Sequence, residues 1–478
     1  MTKTILLPLL VLAALSLNLS SQSTRPKPLV FTHVTIIDVT GAPVKSDMTV
    51  VIDGNRISEL GPDTKVRVPN GAHVVDATGK FLIPGLWDMH VHWFRYDKAF
   101  LQLFPINGVT GVRIMWGAPI HFAWRKEVED GTLLGPRMAI AGNILDGPKP
   151  IWPGSIAISN EREAREAVRT TKEQGYDFVK VYSLLPRKAY FAIADEAKKQ
   201  GIPFAGHVPN LISVTEASDA GQKSIEHLTG VLAACSSREA ELQKRRENAY
   251  SNLRPGQSLP NPALLRPITR LTLETFSTEK AKEVSARLKQ NGTWQCPTFT
   301  VLRSSAFLND PDFRRDPRLK YMPAQLRESW NPSNDFRFAT RTAEDFQLTR
   351  LVYKKQIEVA GLMRRAGVEF LAGTDVLNPF CFPGFSLHDE LALLVEAGLS
   401  PMEALQTATL NPARFLGKEK DFGSIAQGKI ADLVLLEANP LEDIRNTTKI
   451  SSVVSNGRLL DRNALDRLLT QVQVMAEK

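Results

Sequence analysis

At 478 residues, 43% hydrophobic and 23% charged, the chain has the composition of a globular protein long enough for one large domain and a smaller one. Its formal charge of +8 is dispersed, and the densest basic run, Lys244-Arg245-Arg246, is short and lies in a helical pattern; a solvated helix face is expected there, and no nucleic-acid binding. Three widely spaced cysteines, Cys235, Cys296 and Cys381, exclude a disulfide framework and a cysteine-built zinc site, leaving room for one disulfide.

The chain opens as an export signal does. Lys3 supplies the positive start, Ile5 to Leu17 is a nearly uninterrupted apolar run, and the small polar residues Asn18, Ser20, Ser21 and Ser23 follow. The run is short for a membrane span, no cysteine stands near the cleavage point to accept a lipid, and no later segment is apolar enough to cross a bilayer. The expectation is a signal peptide over residues 1–21, cleaved near Ser20–Ser23, and a secreted or periplasmic protein without stable membrane insertion.

Residues 28–80 read as short strands and turns. Val30 to Asp38 is rich in β-formers, Thr49-Val-Val-Ile-Asp-Gly54 ends in an Asp-Gly hairpin cue, and Ile57–Leu60 and His73–Asp76 are further strand candidates. The far end of the chain is similar: Ala431–Leu436, Ile450–Val454 and then Asn456-Gly457. Neither piece makes a covered sheet alone, so residues 28–80 and 421–462 are expected to form one small β-sandwich domain from both chain ends.

Between them, over residues 81–420, strand-like runs alternate with helical patterns, the signature of an α/β fold with a parallel sheet. The expected strands are Leu86–His92, Gly111–Met115, Arg137–Ala141, Phe178–Tyr182, Pro203–His207, Ser224–His227, Thr293–Phe299 and Glu369–Asp375, and helices are expected over Glu161–Gln174, Lys188–Gln200, Thr278–Asn291, Gln347–Arg365, Leu387–Ala397 and Pro401–Leu410. This count predicts a (β/α)8 TIM-type barrel, in which side chains at the C-terminal ends of the strands form the site. Two stretches rich in Pro, Arg and Asn, 236–278 and 303–345, break the rhythm and are expected to lie over the barrel mouth, as a lid or as packing between subunits.

The candidates for chemistry sit at those strand ends. In Leu86-Trp-Asp-Met-His-Val-His92 the two histidines are two residues apart on a strand, so His90 and His92 face one way, as a divalent metal requires of two nitrogen ligands. The fourth strand carries Lys180 and, two residues on and on the same face, Tyr182. The fifth ends at His207, the sixth at His227 and the eighth at Asp375. Each has a bland reading alone: a paired His on a half-exposed strand, a snorkelling lysine, a turn histidine. Their joint placement on one side of a barrel is hard to reach by chance. His33, His73, His121 and His388 have no such placement and are read as surface or structural.

Taken together, Pro84-Gly-Leu-Trp-Asp-Met-His-Val-His92, Val179-Lys-Val-Tyr182, Ala205-Gly-His207, Ser224-Ile-Glu-His-Leu228, Ala372-Gly-Thr-Asp375, the run from Glu390 to Ala413 and Gly423–Leu433 resemble the amidohydrolase superfamily. The nearest likeness is to its imidazolonepropionase-like members, which include prolidase-type dipeptidases with two metals. The resemblance implies that His90, His92 and Asp375 hold one divalent ion and His207 and His227 another, with zinc favoured by the nitrogen-rich set. It implies that Lys180 bridges the two as a carbamate derived from carbon dioxide. A free lysine, with an ordinary pKa of about 10.4, is an ammonium without a lone pair, whereas a carbamate is an anion with an oxygen for each metal. Such a centre favours a bridging hydroxide at neutral pH, which attacks a carbonyl while Asp375 takes the proton and returns it to the leaving nitrogen.

Two segments depart from the group. Many relatives carry Gly-Gly-His after the third strand, where this chain has Asp146-Gly-Pro-Lys-Pro-Ile-Trp-Pro-Gly154. The second strand commonly continues Arg-Asp, where this chain has Val112-Arg-Ile-Met-Trp-Gly117. The metal set is intact while parts of the substrate pocket differ. Tyr182 either donates a hydrogen bond to the carbonyl oxygen as charge develops or serves as packing. The expected function is an exported, metal-dependent hydrolase of an amide or peptide-type C–N bond in a small molecule, such as a dipeptide or an N-acyl amino acid. The same site would also suit an ester, lactone or cyclic amide. A barrel scaffold without chemistry is the reading of another class, and six metal-competent groups argue against it. The relatives commonly oligomerise, so a homo-oligomer is expected.

Overall fold

The computed structural model describes residues 27–92, 98–251 and 259–477; the export signal expected over residues 1–21 lies outside them. The first sheet is mixed and has eight strands: β1 (Leu29–Ile36), β2 (Lys45–Asp53), β3 (Arg56–Pro62), β4 (His73–Asp76) and β5 (Phe81–Pro84) from the start of the chain. The end of the chain adds β14 (Leu433–Leu436), β15 (Ile450–Ser455) and β16 (Arg458–Leu460), in the order β16-β15-β14-β5-β1-β2-β3, with β4 on β1. Both hairpin cues form two-residue turns. Asp53 pairs with Arg56 across Gly54-Asn55, and Ser455 pairs with Arg458 across Asn456-Gly457, whose φ values of 49° and 79° suit the right-handed twist of the strands. The two layers expected of a sandwich belong to one continuous sheet that curls: Ile57 N donates to Lys429 O at 2.9 Å and Ala431 N to Asn55 O at 2.8 Å. It closes over its own core of Phe31, Val34, Ile36, Val50, Leu433 and Leu435.

The second sheet is the barrel: β6 (Leu86–Val91), β7 (Val109–Ile114), β8 (Arg137–Asp146), β10 (Phe178–Val181), β11 (Phe204–Gly206), β12 (Ser224–Glu226) and β13 (Trp294–Cys296), all parallel, with the short β9 (Ile156–Ala157) beside β8. Every residue of β6, β7 and β10 is buried, as expected of strands covered on both faces. The chain passes from β5 to β6 through Gly85 alone. A Cβ there would stand 2.2 Å from Thr110 Oγ1 of β7, so only glycine lets the barrel seat this tightly against the small sheet.

The expected eighth strand, Glu369–Asp375, forms single bridges rather than a regular strand, yet its backbone closes the ring. Leu371 N donates to Gln295 O (2.9 Å), Met89 N to Ala372 O (2.8 Å) and Asp375 N to His90 O (2.8 Å). The segment turns out of the sheet because Asp375 adopts a φ of 58°. The expected helices are present as Glu161–Glu173, Arg187–Gln200, Thr278–Gln290, Phe385–Glu396 and Pro401–Thr407, and one runs longer, Ala343–Ala366.

The interruptions are more regular than their composition suggests. The first contains helices Glu239–Ser251 and Pro262–Glu274, which pack with Ile268 and Leu271 against Leu242. Arg266 ties this unit to Asp345 at 2.6 Å, so it stands beside the long helix, and none of its described residues lines the cavity at the barrel mouth. The second interruption does cover the mouth. Among the described residues no helix is long and apolar enough to cross a membrane.

Candidate metal centre at the barrel mouth

The strand ends bring His90, His92, Lys180, Tyr182, His207, His227 and Asp375 to one place. Asp375 is the hub: its Oδ1 lies 3.1 Å from His92 Nε2 and 3.4 Å from His90 Nε2, and its Oδ2 lies 3.8 Å from His227 Nε2. The His227 ring stands 4.5 Å from that of His90 and 4.9 Å from that of His207, which in turn stacks on Tyr182 at 3.9 Å. Lys180 Nζ is fully buried 5.7 Å from the centre of the Tyr182 ring, without a hydrogen-bond partner. Gly373 explains how the eighth segment comes so close: a Cβ there would meet Cys296 Sγ at 2.6 Å and His90 Cβ at 2.8 Å.

The imidazoles are aimed by their outer nitrogens. His90 Nδ1 is 2.8 Å from Glu226 Oε2, His207 Nδ1 is 2.8 Å from Ser183 Oγ, and His227 Nδ1 is 2.6 Å from Thr298 Oγ1. With Nδ1 of His90 donating to the carboxylate, Nε2 carries the lone pair and points it at Asp375. Two electron-rich atoms 3.4 Å apart repel unless a cation lies between them. Ligands about 2.0–2.1 Å from a tetrahedral zinc lie about 3.3 Å from one another, and His90 Nε2 and His92 Nε2 are 3.3 Å apart. Among the described residues, His90, His227 and Asp375 offer ligand atoms that all lie within 4.8 Å of one another. The orphaned Lys180 amine and this donor set therefore fit divalent cations.

Electrostatics agree. Burial pushes the pKa of His90 and His207 well below the usual range and that of His227 down to about 4, so all three are neutral, metal-competent imidazoles at pH 7. Burial also lowers Lys180 to about 8, against the opposing pull of Glu226 and Asp375. For Asp375, burial raises the carboxyl pKa, but His227, His92 and Lys180 outweigh it and hold the group below its ordinary value. His227, Thr298 and Asp375 all adopt positive φ (58°, 52° and 58°), which is uncommon outside glycine.

A family model described as the amidohydrolase family matches residues 81–460. The chain belongs to this family. It is a hydrolase acting on carbon–nitrogen bonds. Ochratoxinase of Aspergillus niger is 24% identical over 473 residues, covering 85% of this chain and 80% of that protein. Imidazolonepropionase of Pseudomonas paraeruginosa is 26% identical over 412 residues, covering 82% and 88%. Among solved structures, bottromycin amidohydrolase superposes with a TM-score of 0.74 at 24% identity, over 95% of this chain and 91% of that one. A putative prolidase from Bifidobacterium longum gives 0.63 at 24% identity, over 93% and 99%. At these identities the structural likeness establishes the fold.

The supporting layer of this amidohydrolase was not anticipated from sequence. Glu226, behind His90, is clasped by Arg113 Nη2 at 2.8 Å on both oxygens and by the Ser224 hydroxyl. Arg113 also donates to Met89 O (2.6 Å) and lies between the rings of Phe178 and Phe415. Both charges are completely buried, and breaking such a pair from one side typically costs about 3–5 kcal/mol. Asp88, two residues before His90, accepts from His90 N, Thr374 N and Thr374 Oγ1, and so pins the eighth segment to the first strand; burial raises its pKa to about 7. A signal existed for Arg113 and Asp88: a charge inside a largely apolar strand needs a partner. Nothing in the sequence named that partner. The remaining histidines are satisfied elsewhere: His33 on Asp47, His121 on the Ala118 amide, and His388 on Thr447 and Asn107, while His73 is exposed. Cys235, Cys296 and Cys381 are all buried free thiols, so the disulfide left open by composition does not form.

Proposed function

We propose that this amidohydrolase cleaves an amide or peptide-type bond in a small substrate bound in the cavity over the strand ends, with two divalent ions, zinc by preference. His90, His92 and Asp375 would hold one ion, His207 and His227 the other, with a carbamate on Lys180 joining them. The observation that carries the reading is the convergence of three Nδ1-anchored imidazoles and Asp375 on a buried amine that has no partner. A buried unpaired ammonium is unfavourable; a carbamate removes that penalty and supplies the anion that the cations need. Bound there, the ions polarise a substrate carbonyl and lower the pKa of water. Asp375 takes up a proton and delivers it to the leaving nitrogen. The Tyr182 phenol, whose pKa burial raises well above the usual range, stays protonated and donates to the carbonyl oxygen. The cavity of about 610 Å³ is walled by Trp152, Trp330, Phe336 and Leu377, and it suits an apolar or aromatic side of a dipeptide or N-acyl amino acid.

The test is elemental analysis of protein purified without chelator, with a hydrolysis screen of N-acyl amino acids, dipeptides and lactones on the same sample. About two divalent ions per chain and turnover of an amide are expected. Full activity without metal would sink the mechanism, and turnover of lactones alone would move the function to that class.

We also propose that the protein is exported, on the strength of Lys3, the apolar run Ile5–Leu17 and the serines after it. N-terminal sequencing of the protein recovered outside the cytoplasm should begin near Ser20–Ser23. A soluble cytoplasmic protein retaining Met1 would overturn this.

A further inference from the structure

The segment Asp146–Gly154, which departs from the family pattern, is tied down along its length. The Asp146 carboxylate accepts from Ile151 N at 2.9 Å and from Leu184 N at 2.6 Å, joining this loop to the one that follows Tyr182. Asn143 Nδ2 donates to Gly154 O at 2.9 Å, and its Oδ1 accepts from Trp116 Nε1 at 2.7 Å. Between these ties, Trp152 Nε1–H donates to the Tyr182 hydroxyl oxygen at 2.8 Å.

The direction of that bond has a chemical consequence. An indole nitrogen can only donate, so Tyr182 must be the acceptor and its own hydrogen must point elsewhere. The Tyr182 ring is clamped by its stack on His207, and the residue lines the cavity. The indole is itself held by the second interruption: the Arg337 guanidinium lies 5.1 Å over its ring and Phe336 meets it edge-on at 5.3 Å. Arg337 is fixed in turn by Asp335 (2.6 Å) and Asn378 (2.7 Å).

We propose that Trp152 is a positioning residue: its indole N–H occupies one side of the Tyr182 oxygen and so turns the hydroxyl hydrogen toward the carbonyl oxygen of a substrate in the cavity, while Phe336 and Arg337 hold the indole in place. The inference rests on the donor role given to Tyr182 above. Without the indole N–H the phenol remains, but nothing on that side fixes which of its two in-plane positions the hydrogen takes. The loss falls on the transition state, where the accepting oxygen carries most charge, rather than on substrate binding.

Trp152→Phe keeps an aromatic ring against Arg337 while removing the indole N–H along with part of the fused ring. It should lower kcat about five- to tenfold, the weight of one orienting hydrogen bond, with KM near wild type. Tyr182→Phe should lower kcat by about 10²–10³, and the double variant should match Tyr182→Phe alone. A second measurement needs no turnover: in protein labelled with ¹⁵N at tryptophan, the indole N–H resonance absent from Trp152→Phe should shift in Tyr182→Phe. An unmoved resonance would show that the hydrogen bond does not exist. A full additional loss from Trp152→Phe in the Tyr182→Phe background would make Trp152 a packing residue. If the resonance shifts but Tyr182→Phe keeps wild-type kcat, the bond stands and the donor role of Tyr182 fails, taking the positioning role with it.

Discussion

Lys180→Ala is expected to lose bound metal and hydrolytic activity together. The amine is fully buried, its pKa is already lowered to about 8, and no protein group hydrogen-bonds to it. At neutral pH it is still mostly an ammonium, but its neutral fraction, the form that reacts with carbon dioxide, is far larger than that of an ordinary lysine. Removing even the hydrogen-bond partner of a metal ligand weakens metal binding by about 10–100-fold, so loss of a bridging anion should exceed that range. Lys180→Arg should not rescue, because a guanidinium keeps its positive charge and cannot become the anion. Lys180→Met fills the same space without the amine, and should behave like Lys180→Ala if chemistry rather than packing is at stake. Short carboxylic acids added to Lys180→Ala should restore part of the rate by entering the gap. The comparison is made by elemental analysis and rate on the same preparations, with circular dichroism to check the fold. Full activity of Lys180→Ala without additives would remove the bridge from the mechanism.

Asp375→Asn should separate binding from proton transfer. The carboxylate lies within 3.8 Å of three histidines and is held in its ionised form by His227, His92 and Lys180 despite burial, so at neutral pH it can accept a proton. Asparagine keeps the shape and one carbonyl oxygen and has no basic oxygen. The variant should stay folded, retain at least one metal ion and lose about 10²–10⁴ in rate, the usual weight of a general acid–base group. His90→Ala should differ in kind. It strands the buried Glu226–Arg113 pair behind it and should lower metal content first, with rate following as a consequence. Near wild-type turnover in a metal-replete Asp375→Asn protein would pass the proton-transfer role to another group at the mouth.

What the sequence determined by itself is the local part of this molecule. The period-2 spacing of His90 and His92 places both on one face of a strand before any neighbour is known. The alternation of strand and helix patterns leads to the barrel, and Asn456-Gly457 leads to a hairpin. In each case the physics is carried by residues near one another in the chain or by a pattern that repeats along it. The resemblance to the amidohydrolases also rests on short motifs at the strand ends.

Tertiary structure decided everything that depends on residues distant in sequence. Glu226 meets His90 across 136 positions and Asp88 meets Thr374 across 286, and neither pairing has a local signal. The eighth segment is a strand only in the sense that it exchanges hydrogen bonds with both neighbours, because Asp375 turns to reach three histidines. The two interruptions have similar compositions, yet the first packs beside the long helix and the second roofs the cavity. Trp152 sits in a loop that sequence alone marks only as a departure. It meets Tyr182 because Asp146 and Asn143 close that loop, and these contacts exist only once the parallel strands have brought the strand ends to one rim.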